Sequence, residues 1–276
     1  MPELPEVETI VRELSPLVGG KRIRGVEFLW PKTLLSPGAE EFAAGTHGHV
    51  INSLTRRGKY LVFTLDSGRL MLVHLRMTGS LRMAGSRAPV PEHTRAVVHF
   101  ENGQDMVFVD PRKFGKFQLA EAGCRTLARL GMEPLEPAFT AGALARILRG
   151  RRCPVKPVLL NQALIAGVGN MYADEALFSA GIHPVRPAAS LSKTEINRLR
   201  SALIKVLRDG IEAKGATVSN YFRPGGETGR AHIAFKVAHR RNEKCRCCGT
   251  LIERMVIQQR GTYFCPLCQP EKPGGV

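Results

Sequence analysis

The chain has 276 residues, with 40 Lys+Arg against 24 Asp+Glu, a formal net charge of +16. Its 43% hydrophobic and 23% charged residues are those of a folded globular protein, which excludes disorder as the dominant state. The longest apolar runs, such as Tyr60-Leu61-Val62-Phe63, fall far short of the roughly 20 residues a membrane helix needs.

The length suits one large or two medium domains. Charge is unevenly spread: residues 1–133 hold 18 basic and 14 acidic side chains, residues 134–276 hold 22 and 10. An excess of that size points to a polyanionic partner gripped by the C-terminal half. The first twenty residues alternate acids with apolar positions, unlike a secretory signal, so a cytoplasmic location is expected.

A helix is predicted first. Val7, Ile10, Val11, Leu14 and Leu17 recur at helical spacing, Pro5 suits the first turn, and Gly19-Gly20 ends it. From there to about Leu119 the pattern is that of strands. Residues 60–65 and 69–75 flank Asp66-Ser67-Gly68, and 96–100 and 106–109 flank Asn102-Gly103; both read as hairpins. Short strands plus a helix predict a β-sandwich-like first domain over 1–133. Residues 134–137, in a Pro-rich break, are the candidate linker. Helices then return. The clearest begins at Ser192, with Glu195 completing a capping box and Ile196, Leu199, Leu203, Val206, Leu207 and Ile211 on one face, before Gly215. Residues 216–240 hold Pro224-Gly225-Gly226 and Gly229 and read as a loop leading into strands.

Three segments carry chemistry. Cys245-x2-Cys248 and Cys265-x2-Cys268 stand sixteen residues apart, the spacing of a four-thiolate zinc ribbon. Leu251, Ile252, Met255, Val256 and Ile257 between them predict a closing hairpin. One Zn²⁺ there is structural, because four thiolates leave no open position. A redox dithiol pair is the alternative. Cys247 is a possible competing ligand, while Cys124 and Cys153 read as ordinary thiols. Arg260 stands where a hairpin tip reaches a phosphate, or is simply a solvated charge.

Gly167-Val168-Gly169-Asn170 is a tight turn opening a helix. Its backbone N–H groups and the Asn170 side chain suit a phosphate at the positive end of the helix dipole. Arg151, Arg152 and Lys156 just upstream add charge. At the N-terminus, Met1-Pro2-Glu3-Leu4-Pro5-Glu6 exposes the secondary amine of Pro2 once Met1 is removed. Such an amine titrates at about pH 8, so a usable fraction is nucleophilic. Attack on a sugar C1′ gives an iminium, an electron sink for phosphate elimination, and Glu3 offers a carboxyl for proton transfer. By itself the segment is also just a Pro-started helix.

The matching stretches are Pro2-Glu3-Leu4-Pro5-Glu6-Val7-Glu8-Thr9, Arg57-Gly58-Lys59-Tyr60, His74-Leu75-Arg76-Met77-Thr78-Gly79, Asp110-Pro111-Arg112-Lys113-Phe114-Gly115, Gly167-Val168-Gly169-Asn170-Met171-Tyr172-Ala173, Ala180-Gly181-Ile182-His183-Pro184, and the cysteine pairs with Arg260. Through them the chain resembles the formamidopyrimidine-DNA glycosylase family over nearly its whole length. The resemblance implies excision of oxidised purines, 8-oxoguanine and formamidopyrimidines, followed by strand cleavage at the abasic site through β,δ-elimination. Pro2 matches the family's nucleophile and Glu3 the acid that assists base release. Lys59 matches a proton donor in the β-elimination. Arg260 matches the arginine of the δ-elimination and the phosphate grip. Asn170 and Lys156 match phosphate contacts, His93 and Arg112 further DNA contacts, and Arg151 and Arg152 a basic region of looser identity.

Extruding a nucleotide costs on the order of a few kcal/mol, which side chains filling the gap offset. Met77, Arg112 and Phe114 match the family's wedge. Arg112 and Phe114 stand two apart, so strand alternation is expected to aim them the same way. Two positions depart from the family: Arg230-Ala231 follows Gly229 where an aromatic pair is usual, and Glu92 precedes His93 where a Lys is common.

The implied fold is α+β and multidomain. An N-terminal β-sandwich with flanking helices precedes a helix–two-turns–helix DNA-binding domain over 138–235, which carries a lesion loop. A zinc-ribbon hairpin over 236–270 and a tail over 271–276 complete it. The implied cofactor is one structural Zn²⁺. The implied partner is double-stranded DNA with oxidised bases or abasic sites, bound by a monomer associated with a prokaryotic nucleoid and without membrane contact. Two other readings stay open: an endonuclease VIII-type glycosylase for oxidised pyrimidines, which Leu4, Arg112 and Phe114 argue against, and a non-catalytic zinc-ribbon protein that binds damaged DNA.

Overall fold

The computed structural model describes residues 1–85, 89–218 and 221–271. Residues 272–276 of the expected tail and 219–220 of the expected lesion loop lie outside the described residues. The chain forms two compact units, Met1–Ala128 with Ala213–Arg230, and Arg129–Glu212 with the segment from Ala231 on.

In the first unit α1 (Leu4–Val18) precedes β1 (Ile23–Glu27), β2 (Leu34–Ser36), α2 (Ala39–Ala44), β3 (Ile51–Arg57), β4 (Tyr60–Leu65) and β5 (Leu70–His74). Then come β6 (Ser80–Gly85), β7 (Thr94–Phe100), β8 (Gln104–Val109), β9 (Lys116–Ala120) and α3 (Arg125–Ala128). The strands form two sheets, ordered β1-β7-β8-β6 and β2-β9-β5-β4-β3, antiparallel except where β2 runs along β9. Both expected hairpins form, β4–β5 and β7–β8. Phe108 of one sheet meets Phe117 of the other edge-on, ring centroids 5.2 Å apart, in one core with Phe63, Met71, Val98 and Phe100. This is the expected sandwich. β4 and β5 bury consecutive residues, as strands covered on both faces do. α1 lies against β3 and β4 through Val7, Ile10, Val11, Leu14 and Val18. Val18 takes the place expected of Leu17, which is exposed. Leu17 lies roughly 80° round the helix from Val7, at the edge of the apolar stripe.

Two expected boundaries shift. The loop expected to belong with the helices instead packs with the sandwich over 213–230, where Tyr221 joins the first unit's core and Arg223 pairs with Glu13 at 2.5 Å. The expected linker 134–137 lies inside the second unit, which begins at Arg129, rather than joining two units. Gly131 N–H donates to Gln162 O at 2.9 Å, Met132 N–H to Leu164 O at 3.1 Å, and Glu133 and Pro134 are buried.

The second unit holds α4 (Ala141–Leu148), α5 (Val155–Leu160), α6 (Asn170–Ala180), α7 (Lys193–Glu212), β10 (Glu253–Ile257) and β11 (Arg260–Phe264). At the start of α7 the capping box is reciprocal: Ser192 N–H donates to Glu195 Oε2 at 2.9 Å, and Glu195 N–H to Ser192 Oγ at 3.3 Å. α5, two turns and α6 make the helix–two-turns–helix. Gln162 stitches the turns, donating to Leu160 O and Val168 O at 2.9 and 2.8 Å and accepting from Gly167 N–H at 2.9 Å. Among the described residues no helix is long and apolar enough to cross a membrane.

Candidate active site and metal centre

In the first unit burial begins directly after an exposed Met1. Pro2 is covered and Glu3, 3% exposed, stands in extended backbone as the residue before α1. Glu6, one turn on, accepts the Glu3 N–H at 2.8 Å through Oε2 and the Ala216 N–H at 2.8 Å through Oε1. Gly215 makes room for this. Its φ is +79°, and a Cβ there would lie 2.9 Å from both Glu6 Cγ and the Tyr221 ring.

Lys59 sits in the two-residue turn left by the Arg57–Tyr60 pair that closes β3–β4. At 5% exposed it is no solvated strand-end lysine. Arg56 braces the turn, donating to Glu8 at 3.1 Å and to Gly58 O at 3.0 Å. Opposite Tyr60, His74 is buried edge-on to that ring at 4.7 Å and accepts the Arg76 N–H through Nδ1 at 3.0 Å. Burial, then the charges of Arg76 and Lys59, push His74 down to about 3, so its ring is neutral at physiological pH.

The wedge candidates hang from one buried carboxylate. Asp110, fully buried, accepts from the Thr78 hydroxyl, from Gly115 N–H at 2.7 Å and from Arg112 N–H at 3.3 Å. It thereby ties the turn bearing Met77 to the turn bearing Arg112 and Phe114. Gly79 and Gly115 both press on Phe108; a Cβ at Gly115 would lie 2.2 Å from the ring. Met77 and Phe114 stay exposed at 42% and 47%, and the Arg112 guanidinium lies 5.0 Å from the Phe114 centroid. Strand alternation, expected to align them, does not apply: residues 110–115 form a turn, not a strand, with Lys113 at φ +62° between the two side chains. The turn, not the pleat, brings them together. His93 is exposed, pairs with Glu92 at 3.3 Å, and gives its carbonyl to Asp110 N–H at 3.0 Å.

In the second unit Lys156 departs from expectation. It is completely buried, and its ammonium lies 2.7 Å from Asp174 Oδ1, 2.8 Å from Thr262 Oγ1 and 3.1 Å from Gly261 O. An ammonium so enclosed makes no phosphate contact in this conformation; the lysine's length lets it tether β11 from beneath instead. Asn170 likewise turns its amide to the hairpin, donating to Gly261 O at 2.8 Å. Arg260 is exposed and opens β11 after Gln258-Gln259, both with positive φ, the pattern of a type I′ turn. Arg152 is exposed; Arg151 is half-buried and donates to Ile147 O at the end of α4.

Cys245, Cys248, Cys265 and Cys268 bring their sulfurs within 4.8 Å of one another. The Cys245–Cys268 and Cys248–Cys265 separations of 3.9 and 3.4 Å bracket the ~3.8 Å edge of a tetrahedron with 2.3 Å Zn–S bonds. Cys247 stays outside the cluster. The donor set fits one structural Zn²⁺.

Three family models match in chain order: the formamidopyrimidine-DNA glycosylase N-terminal domain over 1–117, the H2TH domain of the same glycosylase over 130–221, and a zinc finger found in FPG and IleRS over 242–270. The formamidopyrimidine-DNA glycosylase of Symbiobacterium thermophilum is 47% identical over 99% of this chain and 91% of its own length. The chain belongs to the formamidopyrimidine-DNA glycosylase family. The Geobacillus kaustophilus glycosylase is 44% identical, covering 98% of this chain and 100% of its own. The crystal structure of the MutM (Fpg) protein of Thermus thermophilus matches with a TM-score of 0.89 at 41% identity, over 99% of this chain and 100% of that one. The Lactococcus lactis Fpg complex with abasic-site DNA matches with a TM-score of 0.90 at 34% identity, over 98% and 100%.

Within this glycosylase family fold, several structural residues escaped sequence reasoning. Asp174 and Glu175 are buried on α6, which is buried almost all round. Glu175 accepts the N–H groups of Lys236, Val237 and Ala238 at 2.8–2.9 Å, anchoring the lead into the zinc ribbon. Burial raises the Asp174 carboxyl above the usual range, against the lowering pull of Lys156. Two adjacent acids inside an otherwise apolar helix were the available signal, since buried carboxylates need partners.

Proposed function

We propose that this chain is a DNA-repair glycosylase and abasic-site lyase that excises oxidised purines, 8-oxoguanine and formamidopyrimidines, from duplex DNA. The observation that carries this reading is the buried Pro2-Glu3 start of α1, its backbone fixed by the Glu6 carboxylate. With Met1 removed, the Pro2 nitrogen attacks C1′ and the glycosidic bond breaks, Glu3 serving proton transfer as the base leaves and the sugar opens. The resulting iminium draws electrons toward C1′. Loss of a C2′ proton then expels the 3′ phosphate, with Lys59 as proton donor, and the second elimination expels the 5′ phosphate beside Arg260.

His93, Arg151, Arg152 and the Gly167–Asn170 turn contact the DNA backbone in this reading. Met77, Arg112 and Phe114 fill the gap left by the extruded nucleotide. The Zn²⁺ supplies no reacting group; it holds the hairpin that presents Arg260. The protein works as a monomer on nucleoid DNA in a bacterial cytoplasm.

Borohydride trapping on an 8-oxoguanine duplex tests the reading. Protein with Met1 removed is expected to form a covalent adduct that Pro2→Gly abolishes. No adduct, or an undiminished one from the variant, refutes the mechanism. Faster excision of thymine glycol than of 8-oxoguanine refutes the purine assignment.

A further inference from the structure

Among the described residues, strand β11 pairs with another strand, β10, along one edge only. Side chains of α5, α6 and β11 itself complete the other edge. Asp174 Oδ2 accepts the Tyr263 N–H at 3.1 Å, and Gly261 O accepts from Lys156 and Asn170 at 3.1 and 2.8 Å. Thr262 Oγ1 lies 2.8 Å from the Lys156 ammonium and donates to Arg260 O at 3.1 Å. Lys156, Asp174 and Thr262 are each at most 1% exposed. A continuous chain thus runs from Asp174 through Lys156 and Thr262 to the carbonyl of Arg260.

An apolar seat would suffice to bury this hairpin. An ion pair of this kind adds little stability over apolar residues of the same volume, but bonds aimed at successive backbone groups admit only one register. A slip of one residue would turn Thr262 outward and leave the buried Lys156–Asp174 pair without its bonds to the hairpin.

We propose that Asp174, Lys156 and Thr262 are positioning residues for Arg260: they fix the register of β11, and through it the second elimination, without taking part in base release. This rests on the reading of Arg260 given above. They act on Arg260 only through the strand's backbone, so their loss shifts the balance between the two eliminations rather than abolishing the covalent intermediate.

The experiment uses the full-length, zinc-loaded protein and the variants T262V, T262S, D174N and R260A. Zinc stoichiometry, borohydride trapping, amide exchange over 260–263 and the ratio of δ- to β-elimination product on an abasic-site duplex are measured. T262V and D174N are expected to keep one zinc per chain and trapping within twofold of the parent. Their δ:β ratio is expected to fall at least tenfold, with faster exchange at Tyr263, while T262S restores both. If both variants keep the parental ratio while R260A loses it, the positioning role is overturned and the reading of Arg260 stands. If R260A itself keeps the parental ratio, that reading falls, and the proposal with it. Should D174N fail to fold, the volume-matched K156M/D174L pair replaces it; a parental δ:β ratio in that folded double variant also overturns the proposal.

Discussion

The Glu6 carboxylate and the Ala216 N–H meet at 2.8 Å although 210 positions separate them in the chain. The second oxygen of the same carboxylate holds the Glu3 N–H at 2.8 Å. One buried acceptor therefore serves both the chemical start of α1 and the segment that leads into the expected lesion loop. Glu6→Gln sets an amide N–H against one of these two donors, which costs about 1–3 kcal/mol. Lower stability in denaturant unfolding, faster exchange at Glu3 or Ala216 and slower base release are expected together. Parental exchange at both Glu3 and Ala216 in the variant would show that Glu6 is not the link.

Arg112 stacks over Phe114 at 5.0 Å on a turn held by Asp110. A guanidinium so placed can pair with the base left without its partner, whereas a phosphate contact would be indifferent to sequence. Arg112→Ala is expected to reduce discrimination of the base opposite the lesion by tenfold or more and non-specific binding by less. Equal losses in competition binding on matched duplexes would make Arg112 a backbone contact instead.

What the sequence disclosed was local. The β4–β5 and β7–β8 hairpins, the capped start of α7 and the cysteine pairs each depend on residues close together in the chain, and each is found where the pattern put it. The placement of 213–230 depends on a backbone N–H at Ala216, which has no side-chain signature, meeting a carboxylate at Glu6. The burial of Lys156 was equally hidden. A lysine in a basic stretch reads as solvent-facing until Asp174 and Thr262, 18 and 106 residues away, are seen to enclose it.

Cys265 is buried among the four thiols, and the hairpin it closes has only two strands. A two-stranded hairpin is marginal in water, so the metal is expected to hold it. Cys265→Ser should lower zinc from one per chain to none and DNA affinity by at least a hundredfold. The sandwich, a separate compact unit, should stay folded. Full DNA affinity in metal-free protein, read by titration with a labelled abasic duplex, would remove the metal from the binding mechanism.

His74 makes stability depend on pH, with a defined sign. Burial and the charges of Arg76 and Lys59 hold its folded pKa at about 3, whereas an unfolded histidine titrates at about 6.5. Above about pH 6.5 the ring is neutral in both states, and its contribution is fully present. Between about 6.5 and 3 the unfolded chain binds a proton that the folded one refuses, so stability falls as the pH falls. At pH 5 the loss from this group alone is about 2 kcal/mol. The Arg76 N–H bond to Nδ1 requires that nitrogen unprotonated, which agrees with a neutral ring. His74→Gln keeps an acceptor and removes the titration. Denaturant unfolding at pH 7 and pH 5 is therefore expected to show a drop about 2 kcal/mol smaller in the variant. Equal drops in the two proteins would place the acid sensitivity at other groups.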